Sequence, residues 1–220
     1  MASSDVDICN LALANLGDKA QVTDINPPDG SIQAAQCGRF YPIARNALLE
    51  MHPWTFAMRR ETLALQVATP PSEWLFAYQL PADCLKPRAV YTPDDLQDGH
   101  GWDFIVEADS DGNGVLYTNV EDAVLRYTRL VEDPTQFTPG FVSALARLLA
   151  SYLAGPIIKG TAGIQVSQAQ LKWFQIEFGS ARANDANSTQ RSAYRDRIPD
   201  AVKARGIPPY SGYSPYGWRR

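Results

Sequence analysis

Histidine and cysteine are scarce in this sequence, with two of the first and three of the second in 220 residues. His52 stands in Met51-His52-Pro53-Trp54 and His100 in Gly99-His100-Gly101. Neither accompanies a GxSxG, HExxH or P-loop pattern, so nucleophilic, zinc-dependent and phosphate-cradling chemistry all lack their usual signature. No catalytic residue and no cofactor is therefore predicted. Cys9, Cys37 and Cys84 are odd in number and widely spaced, which argues against a disulfide framework and a CxxC metal site. They read as small buried hydrophobes of a reducing compartment. Charge of one sign is also lacking: the formal net charge is −4, with no overall footprint for a polyanion. No stretch approaches the ~18–20 apolar residues needed to span a bilayer, so no membrane partner is expected. The opening MASSDVDICN lacks the basic and apolar regions of a signal peptide, which predicts a soluble protein made in the cytoplasm.

What the chain does contain is three regions of different period. In 4–51, Ser4 is a candidate helix N-cap, followed by Asp5 and Asp7 in the first turn. Val6, Cys9, Leu13 and Leu16 form an apolar stripe at three- and four-residue steps, and Gly17 ends it. After the turn Pro27-Pro28-Asp29-Gly30, Ser31 caps a second helix carrying Ala35, Tyr41, Ala44, Leu48 and Met51. Pro42 inside it predicts a kink, because proline has no amide hydrogen to donate.

From about residue 54 to 132 the period becomes two. Leu63, Leu65 and Val67 alternate, and 74–80, 87–91, 104–107, 114–117 and 123–130 read as further strands. The connections are too short for parallel crossovers, so a small antiparallel sheet of five or six strands is expected. Trp74, Tyr78 and Cys84 are its predicted core. Helical period then returns. Thr138-Pro139 is a start signal before Phe141, Leu145, Leu148, Leu149, Tyr152 and Leu153. Gly155-Pro156 should kink or interrupt that helix. A last helix over 164–187 carries Ala169, Leu171, Trp173, Phe174 and Phe178. The predicted class is α+β: a bundle of about four helices from 1–53 and 138–187, an inserted antiparallel β-domain at 54–137, and an extended arm at 188–220.

The arm is basic. Arg191, Arg195, Arg197, Lys203, Arg205, Arg219 and Arg220 against Asp196 and Asp200 give it +5, which leaves −9 on the other 187 residues. Prolines and glycines interleave with Tyr210, Tyr213, Tyr216 and Trp218 in 206–220. The segment has too few aliphatic residues for a core of its own. Arginine and aromatic residues dominate protein interfaces, and they also serve single-stranded nucleic acids. The sparse charges and the acidic body favour a protein partner.

One ion-binding pattern is present. Asp109-Ser110-Asp111-Gly112-Asn113-Gly114 matches the first half of a calcium loop, but Val120 stands where the bidentate glutamate belongs. The competing reading is a tight hairpin turn, which Asp-Gly and Asn-Gly favour. The His52 ring, at a helix end, is expected to meet free backbone carbonyls. Pro53 stops the helix there, and Trp54 is placed to fill the junction between bundle and sheet.

Asp7-Ile8-Cys9-Asn10-Leu11-Ala12-Leu13-Ala14-Asn15-Leu16-Gly17 resembles the opening of the tail tubular protein A family, the head-to-tail adaptors of T7-like short-tailed phages. Ala34-Ala35-Gln36-Cys37, Tyr41 and the run Arg45-Asn46-Ala47-Leu48-Leu49-Glu50-Met51-His52-Pro53-Trp54-Thr55-Phe56-Ala57 continue the resemblance. Trp74, Ala77-Tyr78 and Leu80-Pro81-Ala82-Asp83-Cys84-Leu85 follow, and Leu153-Ala154-Gly155-Pro156-Ile157 is the best later piece. The resemblance implies a virion protein without enzymatic activity. It implies a ring, expected to have twelve copies, below the portal protein. The ring would extend the DNA channel without binding DNA specifically and would dock the tail nozzle protein. The arm would then reach the portal. A nucleic-acid-associated accessory protein using the arm is the alternative, and a hydrolase or calcium module around 109–113 is a third class.

Overall fold

The computed structural model describes residues 4–66, 70–93, 101–109 and 111–188. Among these lie four α-helices and six β-strands, and the class is α+β. The arm, including Arg191, Arg195, Arg197, Lys203, Arg205, Tyr210, Tyr213, Tyr216, Trp218 and Arg219, lies outside the described residues, as does His100.

Helix α1 spans Asp5–Asn15. The Ser4 side chain accepts from the Asp7 amide while Asp7 accepts from the Ser4 amide, so two of the free donors at the helix start are satisfied reciprocally. Ile8, Cys9, Ala12 and Leu13 are buried, and Gly17 takes the positive φ, 79°, at which the chain leaves the helix.

Helix α2 spans Ile32–Met51 with Ser31 as its cap. Its buried stripe is Ala34, Cys37, Tyr41, Ala44, Leu48 and Leu49, which keeps Tyr41, Ala44 and Leu48 of the expected line. Ala35 and Met51, at the two ends of that line, are exposed. The helix runs through Pro42, whose side of the helix faces solvent. A missing hydrogen bond costs least there, because water can serve the carbonyl left without a partner.

The β-part forms two three-stranded antiparallel sheets rather than one larger sheet. Strands β1 (Met58–Thr62), β3 (Cys84–Tyr91) and β6 (Val124–Arg129) form the first, with β6 in the middle. Strands β2 (Phe76–Gln79), β4 (Phe104–Ala108) and β5 (Gly114–Thr118) form the second, with β5 in the middle. The expected strand starting at Leu63 does not form among the described residues, and Val67 lies outside them. Its place is taken by β1, five residues earlier, whose Met-Arg-Arg-Glu-Thr sequence has no apolar alternation. Pairing with the central strand β6, from Met58 with Thr128 to Thr62 with Val124, makes it a strand. Leu65 retains only a single bridge to Tyr78. Leu63, Tyr78, Val90, Leu116, Val120, Ala123, Leu125 and Tyr127 are the buried β-core. Cys84 packs at its margin, and Trp74 is only half-buried.

Helix α3 (Pro139–Ile158) starts at the Thr138 cap as expected, but Gly155 and Pro156 remain inside it. The chain turns instead at Lys159 and Gly160, with φ of 60° and 62°. Helix α4 (Gly160–Asn187) therefore begins four residues before the expected start. By length and composition α3 is apolar enough to cross a membrane, which corrects the expectation that no stretch approaches that length. Burial accounts for it: α1, α2 and α4 all pack on α3, and eleven of its residues are buried. A helix surrounded by others has no reason to be polar on any side.

Trp54, Ala57, Val131 and Phe137, at the two edges of the 54–137 segment, belong to the helical core. The ends of the β-part are thus drawn into the bundle.

Candidate interaction site at the helix–sheet junction

Three side chains in a row build the junction. Pro53 supplies no amide donor and follows a residue already extended: His52, the C-cap of α2, has φ −144° and ψ 145°. Trp54 is fully buried, and its indole Nε1–H donates to the Leu48 carbonyl at 2.9 Å. That bond satisfies a free carbonyl of the last turn of α2. Around the indole stand Phe141 at 5.1 Å, Phe178 at 6.0 Å and Phe56 at 6.2 Å between ring centroids. Phe137 extends the group, 4.7 Å from Phe141. Trp54 meets Phe141 and Phe178 edge to face, and each such pair adds about 0.5–1.5 kcal/mol beyond area burial. Trp54 thus fills the seam as expected, on the helical side of it.

His52 does not meet backbone carbonyls. Its Nε2 lies 3.1 Å from Asp185 Oδ2, near the C-terminus of α4. Asp185 also accepts from the Thr55 amide at 3.1 Å and from the Thr55 hydroxyl. The carboxylate is buried, so three donors replace the water it has lost. Burial lowers the His52 pKa below its ordinary value, against the opposing pull of Asp185. At neutral pH the ring is then uncharged and donates its Nε2–H.

The carbonyl at the end of α2 is served by an arginine from the sheet. Arg88 on β3 donates to the Glu50 carbonyl at 2.9 Å and to Thr128 Oγ1 at 2.9 Å. A cation at a helix C-terminus is electrostatically favourable. Three sequence-distant elements therefore converge on the end of α2: β3 through Arg88, α3 through Phe141, and α4 through Asp185.

Asp185 and Arg88 were not singled out in the sequence. A signal for Asp185 exists, since it continues the buried series Phe174, Ala181, Asp185 at helical steps. A charged residue in a buried series needs a partner. Arg88 carries no comparable signal, because its role depends on where β3 lies.

The arrangement is poor for nucleophilic catalysis. Thr55 and His52 both bond to Asp185, so the carboxylate sits between hydroxyl and imidazole. A hydrolytic triad has the imidazole in the middle, where it can take the hydroxyl proton.

The 109–114 segment is the β4–β5 turn. Asp109 Oδ1 accepts from the Asp111 amide at 2.9 Å and the Asn113 amide at 2.7 Å, and its pKa is lowered by the Asn113 amide above all. Asn113 Nδ2 reaches the other oxygen at 3.3 Å. Gly112 provides the positive φ, 83°. Both carboxylate oxygens hold the turn, the hairpin reading of this motif. Among the described residues no three His, Cys, Asp or Glu side chains gather to hold a metal ion.

The cysteines are free. The hydrogen bond that the Cys9 thiol donates to Cys37, together with burial, pushes Cys9 far up, and burial pushes Cys84 up to about 12. The same bond lowers the Cys37 thiol, but Cys37 is fully buried and lacks the access of a reactive thiol.

A shallow groove of about 340 Å³ lies between the start of α3 and the second half of α4, lined by Pro139, Gly140, Ser143, Ile176, Ser180 and Asn184 among others. Gly140 lets the two helices approach closely beside it: a Cβ there would stand 3.1 Å from that of Ala181.

Comparison of the chain with family models and with curated proteins gave no match.

Proposed function

We propose that this chain is the head-to-tail adaptor of a short-tailed bacteriophage, a structural component of the virion with no bond chemistry of its own. Subunits close into a ring, expected to hold twelve copies, below the portal protein. The ring extends the DNA channel and offers its far face to the tail nozzle. The arm at 188–220 grips the portal through its arginines and aromatic side chains. The observation that carries this reading is the use made of the most family-like segment. His52, Trp54 and Thr55 hold helix to helix, and their polar groups are bonded inside the chain. A resemblance centred on such residues concerns a scaffold rather than a substrate site.

The test is to mix the protein with portal dodecamers and image the product, comparing the full chain with a truncation after Asn187. Docking by the full chain and not by the truncation is expected. Equal docking by both would overturn the role of the arm. No docking by either would overturn the adaptor reading.

The +5 charge of the arm favours a second reading, a nucleic-acid-associated accessory protein. That protein would bind free DNA with steep salt dependence, lost on removal of 188–220.

A further inference from the structure

We infer that the outer edge of β4 takes up residues 202–207 from the arm of a second copy, as an added antiparallel strand. The inference rests on the ring reading and names the contact that would join one subunit to the next.

The two sheets have four edge strands, and three of them are guarded. Strand β1 carries Arg59, Arg60 and Glu61 among its five residues. Strand β3 contains Lys86 and Pro87, and its register with β6 shifts twice. Strand β2 is covered by the chain itself, where Gln66 donates to the Ala77 carbonyl at 2.8 Å and Gln79 to the Ala64 carbonyl at 3.1 Å. Charge, proline, irregularity and cover are the means by which sheet edges avoid unwanted pairing. Strand β4, Phe-Ile-Val-Glu-Ala, has a single charge and pairs with β5 without a break. Among the described residues no strand pairs with its other side. Ile105 (41%) and Val106 (38%) are exposed there, on opposite faces of one strand.

The edge offers backbone groups at a period of two. Asp109 donates its amide to the Asn113 carbonyl at 2.9 Å, toward β5. Inward and outward groups alternate along an antiparallel strand, so Phe104, Val106 and Ala108 aim amide and carbonyl outward. By the same alternation Asp103, Ile105 and Glu107 share one sheet face. Asp103 and Glu107 are exposed, and neither has an ion-pair partner among the described residues. The edge therefore suits an extended segment that alternates small apolar and basic residues. Val202-Lys203-Ala204-Arg205-Gly206-Ile207 in the arm has that alternation, and Pro199 and Pro208 bound it. With Lys203 opposite Glu107, Ala204 stands opposite Val106, and Arg205 lies diagonally within reach of both Glu107 and Asp103. Residues 210–220 remain beyond the segment for the portal. A second β4 is the poorer occupant. With Val106 opposite Val106 it sets Asp103 against Asp109, carboxylate against carboxylate. An edge on one copy and a segment on the next make a head-to-tail contact, which closes into a ring when the rotation permits.

The test uses full chains in sedimentation velocity over a concentration series, with amide hydrogen exchange read by mass spectrometry on the same samples. Wild type is expected to assemble as concentration rises and to gain protection at 104–108 as it does so. Val106→Pro removes an outward amide and no bond to β5, and edge strands accept proline at such positions. Ala204→Pro does the same to the arm segment. Each variant alone is expected to remain monomeric with unchanged circular dichroism. An equimolar mixture is expected to form dimers, because one chain keeps its edge and the other its segment. Should Val106→Pro misfold, Asp103→Lys with Glu107→Lys alters exposed charge only, and about tenfold weaker assembly at low salt is expected. Adding Lys203→Glu and Arg205→Glu to that chain should restore assembly. A wild type monomeric at every concentration, protection of 104–108 within the monomer, assembly by either proline variant alone, a mixture without dimers, or no restoration by the charge exchange would each overturn the contact. Portal docking without protection at 104–108 would overturn the contact and leave the adaptor reading standing. Assembly with that protection but without portal docking would overturn the adaptor reading and leave the contact standing.

Discussion

Asp185 and His52 are 133 positions apart in sequence and 3.1 Å apart in space. That pairing fixes the end of α4 to the end of α2, immediately before the chain enters the arm. Its strength follows from burial, since Asp185 has three protein donors and little water.

Replacement of Asp185 by alanine leaves the Thr55 amide without its acceptor. Loss of about 2–3 kcal/mol is expected. For a chain of this size each kcal/mol corresponds to roughly 2–4 °C in Tm. Thermal unfolding of Asp185→Ala should show a fall of about 4–12 °C. Asp185→Asn keeps one acceptor oxygen and should lose less. Equal stability of wild type and both variants would mean that the pairing contributes nothing.

His52 makes stability depend on pH. Its pKa is depressed in the folded state, so the unfolded state binds more protons between the two values. The contribution is complete above the unfolded value of about 6.5 and is lost as pH falls through the folded value. Urea midpoints should therefore decline below about pH 6.5, before the carboxylates begin to protonate. His52→Gln should flatten that limb of the curve. The same decline in the variant would remove His52 as its source.

Gly38 lies inside α2, where alanine normally favours a helix by about 1 kcal/mol. Here a Cβ would stand 2.8 Å from the Ile25 carbonyl oxygen, a backbone atom that cannot swing aside. Gly38→Ala should therefore destabilise, by about 1–3 kcal/mol in urea unfolding. Gly179→Ala, on the exposed side of α4 with open space around it, should stabilise by about 0.5–1 kcal/mol. The opposite signs separate close approach from helix propensity.

The Tyr41 hydroxyl is buried and has no hydrogen-bond partner among the described residues. Burial raises its pKa, so the group stays a neutral phenol. Tyr41→Phe removes an unsatisfied donor and keeps the ring over which Arg45 lies at 5.9 Å. A gain of about 1 kcal/mol is expected. A loss of that size would show that the hydroxyl has an ordered partner, such as a buried water.

Local chemistry was legible in the sequence. The caps at Ser4, Ser31 and Thr138, the stop at Gly17 and the turn at Asp109–Asn113 depend on residues within a few positions of one another. Backbone sterics and short-range hydrogen bonds decide them, and neither needs a distant partner. The α+β class followed from the change of period, because burial on one face is what imposes a period.

Tertiary structure decided what depends on distant partners. Strand β1 has no strand pattern of its own and exists because β6 pairs with it. The division into two sheets depends on which strands meet, and short loops permit either arrangement. The apolar length of α3 follows from being surrounded, which no window of sequence records. At the junction, Pro53 and Trp54 announced a break, but the partner of His52 came from α4 and the cap on α2 from Arg88. Charge and hydrogen-bond donors read from sequence state what a residue needs. Only the packed chain brings up the group, 133 residues away, that meets the need.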